Sequence, residues 1–128
     1  MAHGSALQWQ TATDAATGIR IYRLKGVLTD SAESYAFLAS ARGEMSADPR
    51  PLLLDLGWME HITSAGVGIV AALYKSASNA DRAVALAGLS RRNELILEVT
   101  QIFRFIAAFD DEHAALAGYA AGDWTPGP

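Results

Sequence analysis

Two stretches, "PLLLDL" at 51–56 and "AVALAG" at 83–88, are short and almost wholly apolar, and each is followed by a segment of helical periodicity. A strand that is apolar at nearly every position is covered on both faces, which is the pattern of a parallel sheet. Parallel neighbours need a crossover between them, and that crossover is normally a helix packed on the sheet. The chain is thereby constrained to an α/β class, a mixed sheet with parallel central strands and about four helices packed against it.

The rest of the chain fits this frame. "ALQWQTAT" (6–13) and "IRIYRLKG" (19–26) have strand character and flank a turn at Thr17-Gly18, so they can pair as a hairpin. Asp30 or Ser31 caps a helix over "AESYAFLASARGEM" (32–45), in which Tyr35, Leu38, Ala39 and Met45 recur at helical spacing, and "SADPRP" ends it. After "PLLLDL", the segment "DLGWMEHITSAGVGIV" reads as a long loop leading into a buried helix whose apolar face holds Val67, Val70, Ala71 and Tyr74, widened by Ala65, Ile69, Ala72 and Leu73. "SNADR" turns out of it into "AVALAG". Ser90 then caps "RRNELILEVTQI" (91–102), "FRFIAAF" (103–109) is a third such strand, and Asp110 or Asp111 caps "EHAALAGYA" (112–120). With no internal repeat and no linker, 1–128 reads as one domain, its core about 7–121 and 122–128 a loose tail.

Composition removes several function classes. At 51% hydrophobic and 19% charged residues, with a net charge of -4, the chain reads as a soluble globular protein rather than a disordered polyanion. Its ten basic residues are scattered apart from the pair Arg91-Arg92, so no stripe is offered to nucleic acid. Cysteine is absent, which removes disulfides, thiol catalysis and thiolate metal sites. The start "MAHGSALQWQ" lacks a signal-peptide pattern, and the longest apolar stretch, "GVGIVAALY", is under half of the roughly 20 residues a membrane helix needs. A cytoplasmic protein without membrane insertion is expected.

No catalytic set converges either. His3, His61 and His113 are too far apart in sequence to pair as ligands on one helix face, so no metal and no other cofactor is expected. "ITSAG" lacks the glycine ahead of the serine that a nucleophile elbow needs. Gly66 and Gly68 fall inside a helix rather than in the loop before one, so close packing of helix on sheet explains them better than phosphate binding. Asp110 and Asp111 read as a helix cap, and Arg91 and Arg92 as solvated surface. The chain is read as a non-enzyme.

What remains is the segment joining a buried strand to a buried helix at the carboxyl edge of the sheet, where open α/β sheets place their sites. Thr63 can cap that helix; Ser64 is either a tolerated first-turn residue or a hydroxyl left free for modification.

These residues carry a resemblance. From "IRIYRLKGVLTD" through "PLLLDLGWMEHITSAGVGIVAALYKSA" to "LEVTQIFRFIAAFDDEHAALA", roughly Ile19 to Gly118, the chain resembles the STAS domain, specifically the bacterial anti-sigma factor antagonists. The family motif, Asp-Ser-Ser/Ala/Thr-Gly-Leu-Gly opening a helix after an apolar strand, stands here as Thr63-Ser64-Ala65-Gly66-Val67-Gly68, and the family's Gly-x-Leu as Gly26-Val27-Leu28. Thr63 replaces the usual aspartate, and Thr29 replaces the acid common after Gly-x-Leu.

The resemblance implies a switch in transcription regulation. The unmodified domain binds an anti-sigma factor with an ATP-binding serine kinase fold and so releases a sigma factor; phosphate on Ser64 ends the binding, and a Ser/Thr phosphatase restores it. The implied partner surface comprises Thr63, Ser64, Ala65 and Gly66, with Thr63 as the cap beside the phosphosite; Trp58 and Met59, apolar residues in the loop leading to Ser64, are read as extending that surface, with inward packing as the alternative. The alternative within the same resemblance is a constitutive scaffold, bound to the ATPase of a lipid-transport complex or to neighbours in a stress-sensing assembly.

Overall fold

The computed structural model describes residues 6–48 and 50–124. His3 and the last four residues of the expected tail lie outside that range. Five strands form one sheet in the order of the sequence: β1 (Gln8–Thr13), β2 (Arg20–Leu28), β3 (Leu52–Ile62), β4 (Val84–Ala87) and β5 (Ala107–Phe109). β1 runs antiparallel to β2, and the other three pairings are parallel. The helices α1 (Ala32–Ala47), α2 (Ser64–Asn79), α3 (Arg91–Val99) and α4 (Glu112–Ala120) fill the connections and follow the last strand. Each has a side-chain cap: Ser31 accepts from Ser34 N, Thr63 from Gly66 N, Ser90 from Asn93 N and Asp111 from Ala114 N.

Strand alternation divides the core in two. Tyr22, Leu24 and Leu28 of β2 and Leu52, Leu54 and Leu56 of β3 meet Phe37, Val70, Leu73 and Leu97 from α1, α2 and α3. Ile19, Ile21, Leu53, Ala85 and Ala87 point to the other face, where Ala115 of α4 and Trp124 cover them. Both faces of the central strands are thus buried, which is why "PLLLDL" and "AVALAG" show no polar alternation.

Several expectations need correction. β3 does not stop at Leu56: the segment expected as a loop continues as strand to Ile62, paired with β2 throughout. Two extra residues on β3, one between the pairs Arg23↔Asp55 and Lys25↔Trp58 and one between Gly26↔Met59 and Val27↔His61, break the two-residue period that would have marked it. In α1, Tyr35 and Ala39 face solvent, and the buried face is Ser34, Phe37, Leu38, Ala41 and Met45. The segment 91–102 ends as helix at Val99, and residues 102–104 form a 3-10 turn, so that β5 keeps only three residues of the expected 103–109. The tail is anchored as far as Trp124, which is 8% exposed and donates its indole N–H to Ala115 O at 2.8 Å.

Candidate functional site

The carboxyl ends of β2 and β3 lie side by side, and one atom, the Leu28 carbonyl oxygen, organises the junction between β3 and α2. It accepts from Thr63 N at 3.1 Å and from the Thr63 hydroxyl at 3.4 Å. The same Thr63 Oγ1 accepts from Gly66 N at 3.2 Å, and Thr63 O accepts from Val67 N at 2.9 Å, so one residue ends the strand and starts the helix. Gly66 is required here by space: a Cβ on it would lie 2.2 Å from Leu28 O. Gly68 is different, because a Cβ there would meet nothing within 4 Å. The close-packing reading of the two glycines therefore holds for Gly66 and is corrected for Gly68.

The turn after Leu28 is built from hydroxyls. Thr29 N donates to Ser34 Oγ, Ser31 N donates to Thr29 Oγ1, and the Ser31 and Ser34 hydroxyls are 2.9 Å apart. Thr29 thus serves the local turn as an acid would, by presenting a side-chain oxygen to an N–H two residues on. The far half of β3 has no β4 partner beyond Asp55. Asn93 of α3, 1% exposed, stands in: its Oδ1 accepts from Ile62 N at 3.2 Å and its Nδ2 donates to Met59 O at 3.4 Å. Sequence reasoning misses Asn93, because an asparagine in a first helical turn looks like surface; only its helical phase, four residues before the buried Leu97, marks it as inward.

Of the expected site residues, Thr63, Ser64 and Ala65 come together at the start of α2, with Ser64 and Ala65 exposed. Among the described residues none hydrogen-bonds the Ser64 hydroxyl. Gly66 is buried beneath them. The two residues before the site separate: Met59 is 6% exposed and packs in the α2-side core, while Trp58 is 73% exposed. Trp58 lines a trough of about 350 Å³ with Gln8, Gln10, Arg23 and Lys25, on the α4 side of the sheet. Met59 is thus corrected from partner surface to core. The inserted residues on β3 shift which positions point inward, and this is the physical reason.

A second polar cluster ties α4 to the sheet. Arg23 grips Glu112 with Nε to Oε2 at 2.6 Å and Nη2 to Oε1 at 3.0 Å, a two-pronged pair. Asp55 adjoins it and accepts from Gly57 N at 2.9 Å. Burial first, then its hydrogen bond with Glu112, push the Asp55 carboxyl up to about 6. Hydrogen bonds from Arg23 and then Asp55 hold Glu112 down to about 2, so Asp55 is the first of the two to take up a proton as pH falls through about 6. No group of three or more metal-ligating side chains is present among the described residues, and no described helix is long and apolar enough to cross a membrane.

The fold recurs in solved structures of low sequence identity. An anti-sigma factor antagonist from Mycobacterium paratuberculosis aligns with a TM-score of 0.72 at 18% identity, over 88% of this chain and 92% of that one. The unphosphorylated form of the anti-sigma factor antagonist SpoIIAA aligns at 0.64 and 14% identity, over 90% and 99%. A sulfate transporter family protein from Wolinella succinogenes aligns at 0.66 and 19% identity, over 86% and 88%. No curated protein matches the sequence. The family model for the STAS domain matches residues 10–115. With the mixed five-stranded sheet, the motif-bearing helix start and that match in agreement, the chain belongs to the STAS domain family.

Proposed function

We propose that this chain is an anti-sigma factor antagonist whose switch is Ser64. In its unmodified form it binds an anti-sigma factor of ATP-binding serine kinase fold and so frees a sigma factor; a Ser/Thr phosphatase returns the phosphorylated form to that state. The observation that carries the reading is the division of labour at the start of α2. Thr63 does the capping, and the neighbouring Ser64 is left exposed. The N–H groups of Ser64 and Ala65 have no intrahelical acceptor, so the domain can hold a phosphate at little cost to itself. The partner cannot: a phosphate brings about -1.5 to -2 charges into a surface that must be desolvated on binding. The domain acts as a binding module without turnover of its own.

One observation favours a second reading. Thr63 supplies a neutral oxygen where the family has a carboxylate, so the charge beside the serine is missing. A STAS domain serving as a constitutive scaffold, in a lipid-transport ATPase complex or a stress-sensing assembly, needs no such charge.

Pull-down from the native host with the wild-type chain separates the two, since a small ATP-binding kinase and a transporter ATPase differ plainly in mass spectra. With the kinase in hand, Ser64→Ala should bind it constitutively, and Ser64→Asp should weaken binding at least tenfold, about 1.4 kcal/mol. Phosphate appearing on Thr63, or on neither residue, rejects the switch and leaves the scaffold.

A further inference from the structure

The sheet has two edges, and they are treated differently. β5 is only three residues long and leads at once into α4, which leaves little for another strand to pair with. β1 is six residues long and pairs with β2 without irregularity from Gln8↔Lys25 to Thr13↔Arg20. Its outer side presents a row of N–H and C=O groups in regular strand geometry. Proteins that stay apart blunt such an edge with charge, proline or a bulge. "QWQTAT" has no charge and no proline, its pairing shows no bulge, and three of its residues, Trp9, Thr11 and Thr13, are good strand formers. Trp9 packs edge-on against Phe37 of α1, on the helix-covered face. Among the described residues β2 is the strand that pairs with β1, and no strand lies on its outer edge.

We infer that β1 pairs antiparallel with β1 of a second copy of this chain, joining two five-stranded sheets into one of ten strands. A twofold axis perpendicular to the sheet reverses strand direction and keeps each face on its own side. Residues brought opposite one another therefore share a face, as a ladder requires. With the axis at Gln10, the pairs are Gln10 with Gln10, Trp9 with Thr11 and Gln8 with Ala12. Two amides meet at the axis, each with a donor and an acceptor, and no like charges face each other because the strand holds none. The same neutrality argues for a second copy: a foreign charged strand would find no complementary charge on β1 to select it. Ser64 stands just past the end of β3, two strands inward, so dimerisation leaves both switch sites open.

A single strand pair buries less than the roughly 1,600 Å² of a stable complex, so the dimer is weak and depends on concentration. Sedimentation of the wild-type chain between about 10 μM and 1 mM should show mass rising from 13.6 kDa toward twice that value. Gln10→Lys places two ammonium groups at the axis. Gln10 is exposed and the charge of Arg23, its partner on β2, is offset by Glu112, so the variant should keep its far-UV spectrum while dimerising at least tenfold more weakly. The chain has no cysteine, so Gln10→Cys carries a single thiol, and a short bis-maleimide should link it into dimers far faster than Leu95→Cys on the exposed side of α3. A wild-type chain that stays monomeric to 1 mM, a dimer unaffected by a folded Gln10→Lys, or equal linking of the two thiol variants overturns the proposal.

Discussion

Gly66 and Gly68 sit two residues apart in one helix, yet the structure assigns them opposite responses to the same added methyl group. At Gly66 a Cβ would stand 2.2 Å from Leu28 O and 2.8 Å from Leu28 C, both backbone atoms with no rotamer to relieve the clash. Ordinary C···O contacts begin near 3.3 Å, so α2 must retreat by about 1 Å. That retreat works against the 3.1 Å bond from Thr63 N to the same carbonyl. Overpacking costs about 1–3 kcal/mol and loss of the bond about 1 kcal/mol, against a helix-propensity gain of at most about 1 kcal/mol. Gly66→Ala should therefore lose about 1–3 kcal/mol. Gly68→Ala meets open space and collects only the propensity term, a gain of about 0.5–1 kcal/mol. Urea unfolding followed by circular dichroism measures both, and the two variants should differ by at least about 1.5 kcal/mol with wild type between them. A Gly66→Ala protein as stable as wild type would refute the claim that the Leu28 carbonyl fixes the helix start. A destabilised Gly68→Ala would refute the claim that this glycine serves no internal packing.

Two further outcomes rest on the same geometry and on the polar cluster beside it. Thr63→Ala removes the cap on Gly66 N and should cost about 0.5–2 kcal/mol in the same unfolding assay, whereas Thr63→Asp, which keeps an acceptor and adds a charge suited to a helix N-terminus, should cost little. The Asp55–Glu112–Arg23 cluster gives a pH dependence with two signs. Glu112, held low, contributes stability that is lost as pH falls below about 4 toward 2, while Asp55, held high, contributes stability that is lost as pH rises from about 4 through 6. The cluster's contribution to stability should peak near pH 4, fall from there to about pH 6 and level off above it, and Asp55→Asn, which mimics the protonated form, should flatten that fall; an unchanged slope in the variant would show that another group takes up the proton.

The fold is legible in the sequence where burial imposes a simple pattern. "PLLLDL" and "AVALAG" announce central strands because helices cover both of their faces, and Ser90 announces its helix because a hydroxyl before a charged first turn has few other uses. Legibility fails where a three-dimensional constraint overrides the period. The second half of β3 looks like loop because two inserted residues shift its phase and because Asn93, thirty or more positions away, replaces the missing neighbour strand. Tyr35 and Ala39 look like core because apolar residues at helical spacing define a face, but α1 turns Phe37 and Ala41 inward instead, where Phe37 meets Trp9 and Tyr22 edge-on.

At the site itself the sequence and the structure address different properties. The motif marks the position of Ser64 and a hydroxyl beside it, and both stand at the start of α2. Only the structure shows that both acid-to-threonine replacements leave the backbone supported: Thr63 still accepts from Gly66 N, and Thr29 still accepts from Ser31 N. A cap needs an oxygen lone pair, which a hydroxyl supplies as well as a carboxylate does, so the geometry of the helix start survives both changes. The negative charge that an aspartate would place next to Ser64 does not survive the change at Thr63. Any partner that reads shape at this surface meets the same strand ends, and any partner that reads charge meets a more neutral one. Under the proposed function the replacement at Thr63 would act on recognition rather than on folding, and restoring the acid there is the substitution that separates those effects. It should leave the unfolding curve nearly unchanged while, if the chain is the proposed antagonist, changing its affinity for the anti-sigma factor.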